Sequence, residues 1–390
     1  MNTIVNELAP TATPSPWWRK DAVIFAALVA VAAIGFGATY GITAAYTRRE
    51  DSLARHWYQL GESDLNNGKA RLAVSDFRTA LLYSRDNPRF RLRLAQALAA
   101  DNDIPQAIAY FLNLWEEQPG NGLFNLELAR LYARNNQPRQ AAQYYNAAIY
   151  GIWPDDPVLH RRDARIEYVK FLLVQHQSAE AQAEALALAA SIPPSDVNGH
   201  LQAADLLLTT GDPDHALAEY TALLKAAPAQ ASFGAGRAAF QLGQFRSASN
   251  YLRMAIQKGI TDPVAKTLLA QAENVLALDP YQRHLTSDER AKRVTTAFVQ
   301  AGDRLQQCAA IKQQPLAVIP PTTDMQRLYA EWVKSEPSFR DLSRSSDLRD
   351  AAMDLVFRIE NTTAYQCGEP ANGNDWALLM LSRNGEGVQR

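Results

Sequence analysis

The hydrophobic positions divide the chain into three stretches with different patterns. From Ala22 to Thr47 no residue is charged, and the few polar side chains are scattered around the helix instead of forming one face. Between about residues 54 and 260, apolar residues recur at helical spacing in segments separated by Gly, Asn and Pro. After Pro280 the helical segments become irregular. The pattern predicts an all-α protein: a single N-terminal transmembrane helix, an α-solenoid of helical hairpins and a small helical C-terminal module.

The uncharged stretch is long enough to cross a membrane. Its 26 residues would span roughly 39 Å as a helix, against about 30 Å of bilayer hydrocarbon. Two tryptophans and two basic residues precede it, as at a membrane interface. We expect a disordered tail over 1–20 and a transmembrane helix over 21–47. A cleaved signal peptide is the alternative, although its apolar core would normally be about 7–15 residues long.

Small residues recur every four positions within this segment. Such a stripe lets a second helix approach closely, so we expect a transmembrane helix partner or a homodimer. An alanine-rich chain also produces this spacing by chance, and that alternative stays open. The stripe consists of Ala33, Gly37, Gly41 and Ala45.

A period of 34 residues runs through the middle of the chain. Alanines and the aromatic residue four positions after each repeat with it: Ala73 with Phe77, Ala107 with Phe111, and Ala141 with Tyr145. A leucine followed by a small residue does the same: Leu60-Gly61, Leu94-Ala95 and Leu128-Ala129. The pattern resembles the tetratricopeptide repeat, a 34-residue helical hairpin. The resemblance implies about six hairpins over 54–260. We expect a helix over 261–278 to cap the array. The change of periodicity that follows predicts a separate helical module over 279–390, to which the resemblance does not extend.

The repeat pattern also assigns packing roles. Small residues such as Gly61 would lie where two helices cross, and large ones such as Leu60 would fill the gap between hairpins. Gly68 and Asn136 would end first helices in the left-handed conformation. Gly234 and Gly236 resemble a glycine-rich loop, but they fall at helix-crossing positions, which explains them by packing.

The resemblance implies that a protein partner lies along the concave face, on the fifth and ninth positions of each repeat. The fifth positions are apolar or aromatic: Tyr58, Leu92, Leu126, Ile166, Leu201 and Phe233. The ninth positions are polar with a basic middle: Glu62, Gln96, Arg130, Lys170, Asp205 and Arg237. A peptide or helix with apolar anchors and some acidic residues would suit this face. The alternative is internal packing beside a solvated edge. Trp153, in an insertion at 151–158, is a further candidate contact.

Cys308 and Cys367 are the only cysteines, and both lie in the C-terminal module. A helical hairpin could bring them together, and a disulfide would imply an oxidising compartment. Two buried thiols are the alternative. Lys and Arg near the membrane number two before the helix and three after it, which does not decide orientation. The possible disulfide favours a bacterial inner-membrane protein with a periplasmic solenoid.

Nothing in the sequence predicts catalysis or a cofactor. The net charge is -2 without long like-charge runs, which argues against nucleic-acid binding. The six histidines lack metal-ligand spacing, and there is no phosphate loop or nucleophile elbow. We expect a membrane-anchored scaffold, acting as an assembly factor or an accessory subunit of a membrane complex. The alternatives are a periplasmic binder of a glycan or small ligand through groove aromatics, and an enzyme with its site in the C-terminal module.

Overall fold

A computed structural model describes residues 18–336 and 338–388, and it describes no side chains for 18–20, 339 and 385–388. These residues form 18 α-helices and one isolated β-bridge, which confirms the predicted all-α solenoid class. The chain divides into two compact units, Met1–Arg161 and Arg162–Arg390. The helices are α1 Trp18–Asn66, α2 Ala70–Tyr83, α3 Pro88–Ala100, α4 Ile104–Glu117, α5 Gly122–Arg134, α6 Pro138–Ile149, α7 Pro157–Val174, α8 Ser178–Ser191, α9 Val197–Thr209, α10 Pro213–Ala222, α11 Pro228–Gln241, α12 Phe245–Gln257, α13 Pro263–Leu278, α14 Ser287–Ile311, α15 Asp324–Lys334, α16 Phe339–Arg344, α17 Ser346–Cys367 and α18 Gly373–Val388.

The first helix, α1, joins two predicted elements without a break. It runs from the apolar segment into the first repeat and extends over 49 residues. Its portion Asp21–Asn66 is long and apolar enough to cross a membrane. The predicted tail over 1–17 lies outside the described residues, and residues 18–20 are already helical.

The hairpin turns share one backbone device. At each turn, a residue with positive φ ends the first helix of the hairpin. The backbone amide of the following residue donates to a carbonyl five residues earlier, for example Asp103 N to Leu98 O at 3.0 Å. Glycine fits this conformation without strain, and Asn tolerates it better than most residues. Asn102 and His176 were not predicted at turns. The six residues are Gly68, Asn102, Asn136, His176, Gly211 and Gly243, with φ of 73°, 64°, 55°, 58°, 85° and 70°.

Buried small residues allow the helices to cross closely, as the repeat pattern predicts. The alanines at the repeated position are inaccessible to solvent in all six hairpins: Ala73, Ala107, Ala141, Ala181, Ala216 and Ala248. A Cβ added at Gly61 would lie 2.8 Å from the Phe77 ring. At Gly234 it would lie 2.1 Å from the Tyr220 ring.

One packing role was wrong. Leu60 is 40% exposed, whereas Leu94 and Leu128, which share its repeat position, are completely buried. Leu60 lies on α1, and no repeat hairpin precedes it among the described residues. The first repeat therefore exposes a residue that later repeats bury.

The C-terminal module packs into one hydrophobic core with the last repeat helices of the second unit. One face of α14 is buried: Val294, Phe298, Ala301, Leu305 and Cys308. Thr286 caps α14 by accepting from Glu289 N at 3.2 Å. The last helix, α18, extends to Val388.

A disulfide joins the two long helices of this module. Cys308 lies in the last turn of α14, Cys367 is the last residue of α17, and their Cα atoms are 5.8 Å apart. The described residues contain no free cysteine. The bond closes a loop over a sequence separation of 59 residues that contains α15 and α16.

Candidate partner-binding face

In the first unit, the residues at the fifth position of each repeat lie mainly between neighbouring hairpins and not on an open surface. Tyr58 is 9% exposed, its ring is stacked 4.7 Å from Phe90, and its hydroxyl accepts from Arg89 Nε at 3.0 Å. Leu126 is buried, and Leu92 is half-buried against the same core. Tyr58 and Leu126 are therefore not free to anchor a partner, a correction to the predicted groove. Their apolar surface is used where neighbouring hairpins stack.

The ninth positions of this unit form polar networks instead. Arg93 donates hydrogen bonds from Nε and Nη2 to the two oxygens of the Glu62 carboxylate. Its Nη1 donates to Gln96 Oε1 at 2.8 Å. The hydrogen bonds from Arg93 lower the pKa of Glu62 below its usual value. Arg130 donates to Glu127 at 3.1 Å. These half-buried groups present a charged surface whose members are already paired, so a partner would have to compete with those pairs or bridge them.

Trp153 is not an exposed contact. It is 7% exposed, its Nε1 donates to Ala148 O at 3.0 Å, and its ring is stacked 4.8 Å from His160. A Cβ at Gly122 would lie 2.2 Å from Trp153, so that glycine makes room for the indole. The predicted contact was wrong because the tryptophan holds the insertion onto the repeats.

The neighbours of Trp153 are exposed instead. Tyr150 is 74% exposed and Ile152 is 72% exposed. Ile152 N donates to Gly120 O at 2.7 Å, and Gly122 N donates to Ile152 O at 3.0 Å. The insertion therefore presents two large apolar side chains on a fixed platform. The insertion departs from the 34-residue period, and this departure was the sequence signal for a contact site. The size of the tryptophan side chain led the sequence analysis to Trp153 instead of its exposed neighbours.

In the second unit, Phe233 and Arg237 lie on one face of α11. Arg237 places its guanidinium carbon 5.6 Å from the centre of the Phe233 ring and donates to Asp205 at 3.0 Å. Asp205 also accepts from the Tyr220 hydroxyl at 2.6 Å. Phe233 and Arg237 are both half-buried. Here the fifth and ninth positions do form a mixed aromatic and cationic surface.

The remaining second-unit candidates are more dispersed. Ile166 and Leu201 are half-buried, and Lys170 is exposed. Phe240, three residues after Arg237, is stacked against Trp376 of α18 at 5.8 Å. The C-terminal helix therefore covers the end of the α11 face.

Family profiles agree with the observed hairpins. A profile of the tetratricopeptide repeat matches residues 58–122 and 201–263. A second profile of the same repeat matches residues 98–151. The chain carries tetratricopeptide repeats. Both profiles end before the C-terminal module, and no match is found among curated proteins.

Several solved structures are similar to part of this chain. YrrB, described as a TPR protein with an unusual peptide-binding site, is 18% identical over 49% of this chain and 96% of its own, with a TM-score of 0.37. PilW, described as a type IV pilus biogenesis factor, is 18% identical over 55% of this chain and 98% of its own, with a TM-score of 0.37. Pseudomonas aeruginosa pilF is 15% identical over 63% of this chain and 97% of its own, with a TM-score of 0.33.

Proposed function

We propose that this protein is a membrane-anchored scaffold that holds a protein partner close to the bilayer and catalyses no reaction. The observation that carries the proposal is the continuity of α1. One helix contains the apolar segment and, at its other end, the first repeat helix, where Tyr58 and Gly61 pack against α2 and α3. A continuous helix fixes the first hairpin to the anchor more rigidly than a flexible linker would.

The apolar part of α1 has the properties that a membrane helix needs. Large apolar side chains are exposed around it, among them Phe25, Ile34 and Phe36. Its threonine hydroxyls bond back to their own helix; Thr39, for example, donates to Gly35 O at 2.7 Å. Hydroxyls satisfied in this way can enter hydrocarbon without an unpaired polar group. A Cβ at Gly37 or Gly41 would meet nothing within 4 Å, so this face is open to a second helix.

The disulfide supports an exoplasmic location for the solenoid. Disulfides persist in the bacterial periplasm and equivalent compartments, whereas cytosolic thiols are kept reduced. We propose the inner membrane as the site of anchoring, with the repeats and the Cys308–Cys367 bond on the periplasmic side. The partner then lies in the periplasm or presents a periplasmic segment from the membrane.

Two surfaces are available to the partner. Tyr150 and Ile152 form a fixed apolar platform in the first unit. The Phe233–Arg237 face of α11 offers an aromatic ring and a guanidinium in the second. Aromatic and arginine side chains are the residue types that carry much of the energy at protein interfaces.

The test is purification of the tagged full-length protein in mild detergent, with quantitative mass spectrometry of co-purifying proteins. We expect partners in constant ratio to the scaffold and a mature chain that retains its apolar segment. Tyr150→Ser together with Ile152→Ser should reduce this recovery. Leu82→Ser, which changes an exposed leucine elsewhere in the first unit, should not. A mature chain that begins after Ala45, or a chain recovered alone in every detergent, would refute the anchored scaffold.

A further inference from the structure

A cavity of about 720 Å³ opens within the second unit, between the last repeat helices and the C-terminal module. Its walls are the N-terminal end of α12, the end of α13 with the following loop, one face of α17 and the last part of α18. No residue that the sequence patterns single out for binding lies in it. The volume is in the range of sites that hold a ligand or several residues of a peptide.

The floor of the cavity is apolar. Phe245 and Val275 are buried, and Leu276, Phe357 and Leu381 are half-buried beside them. Such a floor can bury hydrocarbon from a bound side chain. It comes from four different helices or their ends, so it forms only when the C-terminal module packs on the repeats.

The rim is dominated by carboxylates. Burial, then the negative charge of Asp350 and its hydrogen bond with the phenol, and then the negative charges of Asp279 and Asp354 raise the pKa of the Tyr281 phenol to about 12. All three carboxylates therefore lie close enough to that hydroxyl to act on it. Asp350 forms no ion pair among the residues that the structure describes.

The two arginines of the rim offset only part of this charge. Arg358 donates to Glu331 at 3.0 Å and to Asp354 at 2.9 Å, so it is shared between two carboxylates. Arg293 and then Arg246 act on Asp279, where their charges oppose the effect of burial on that carboxyl's pKa. The rim keeps a net negative charge centred on Asp350, which favours a cationic occupant.

A metal ion does not fit this arrangement. Within the described ranges, no three His, Cys, Asp or Glu side chains are grouped closely enough to hold one. The separated carboxylates and the apolar floor suit an organic cation, which combines charge with hydrocarbon.

We infer that this cavity docks a partner polypeptide by one lysine or arginine side chain, whose flanking apolar residues rest on the floor. The basic group lies beside Asp350 and Tyr281, and the hydrocarbon lies over Phe245 and Phe357. This inference rests on the proposed scaffold function and names the chemistry of one partner segment. A free amine would use the same charge but would leave most of the cavity unfilled.

The test is selection of a displayed random heptapeptide library on the intact, membrane-anchored protein in detergent. We expect enrichment of peptides with lysine or arginine flanked by apolar residues. Asp350→Lys should weaken their binding by about ten-fold or more, because it reverses the charge of a cavity carboxylate that has no ion-pair partner among the described residues. Gln244→Trp should obstruct the mouth, since Gln244 is exposed and makes no capping bond. Asp347→Lys makes the same charge change one turn away on α17 and should weaken binding less than Asp350→Lys does, because Asp347 does not line the cavity.

Three outcomes would overturn the inference. Selected peptides could lack basic residues, could bind Asp350→Lys as well as wild type, or could be displaced by free arginine as readily as by peptide. If selected peptides are sensitive to Tyr150→Ser with Ile152→Ser but not to Asp350→Lys, the scaffold proposal survives and the cavity assignment fails. If no peptide is selected and no protein co-purifies, both fail together.

Discussion

Glu360 provides a test of how the C-terminal module is packed. It lies on α17, is 1% exposed, and neither carboxylate oxygen has a hydrogen-bond partner in the described structure. Burial, reinforced by Asp375 and opposed by Arg304, raises its pKa from 4.5 to about 8. The carboxyl is therefore largely protonated in the folded protein at neutral pH.

The sign of the pH effect follows from that shift. Between pH 4.5 and about 8 the folded state keeps the Glu360 proton while the unfolded state has lost it. The unfolding free energy therefore falls as pH rises through this window and levels off above it. The whole shift corresponds to about 5 kcal/mol as an upper bound, and the part between about pH 5.5 and pH 8.5 to about 3 kcal/mol.

Glu360→Gln should remove this dependence, because an amide of the same shape is neutral at every pH. The measurement is urea unfolding of the full-length protein at several pH values. Hydrogen–deuterium pulse labelling of α14 and α17 peptides then reports the module alone. We expect the wild-type unfolding free energy to fall by about 3 kcal/mol more than that of the variant over the window.

Glu369→Gln is the matched control. Hydrogen bonds from Arg383 lower the pKa of Glu369, so this carboxylate stays ionised in both states across the window. Its removal should leave the pH slope unchanged. Parallel slopes for wild type and Glu360→Gln would refute the reasoning, because they would mean that water or an unrecognised partner satisfies the carboxylate.

Three further predictions concern packing and pairing. Gly234→Ala should lower the unfolding free energy by about 1–3 kcal/mol, since its Cβ would overlap the ring beneath it, whereas Gly120→Ala should change it little; urea unfolding distinguishes them. Cys308→Ser should destabilise the module by up to about 4 kcal/mol through the lost loop closure, measured by the same pulse labelling, and an unchanged midpoint would count against a structural disulfide. Glu62→Gln should cost stability at neutral pH and progressively less as the pH falls below 4.5 toward the lowered pKa of Glu62, because Arg93 stabilises only the ionised carboxylate; equal losses at neutral pH and well below pH 4.5, measured by thermal unfolding, would contradict this.

The sequence by itself determined the repeated parts of the fold. Three features depend on contacts between near neighbours along the chain. They are the 34-residue period, the small residues at helix crossings and the turn-forming residues at most hairpin ends. Local spacing therefore predicts them, as at Ala73 and Gly68. The uncharged segment could also be recognised from the sequence, because a long apolar run requires no contact with any other part of the chain.

Tertiary structure decided which candidate residues reach the surface. Tyr58 and Trp153 have the composition of contact residues, but each is covered by residues from another helix. His176 ends the first helix of its hairpin with a positive φ, at a turn that the repeat pattern did not predict. The cavity is lined by residues that lie far apart in the sequence, such as Gly243 and Asn384, which are 141 positions apart. The buried carboxyl of Glu360 is likewise surrounded by residues of other helices. No local period records such a meeting, since it depends on how whole helices pack and on which polar groups lose their water.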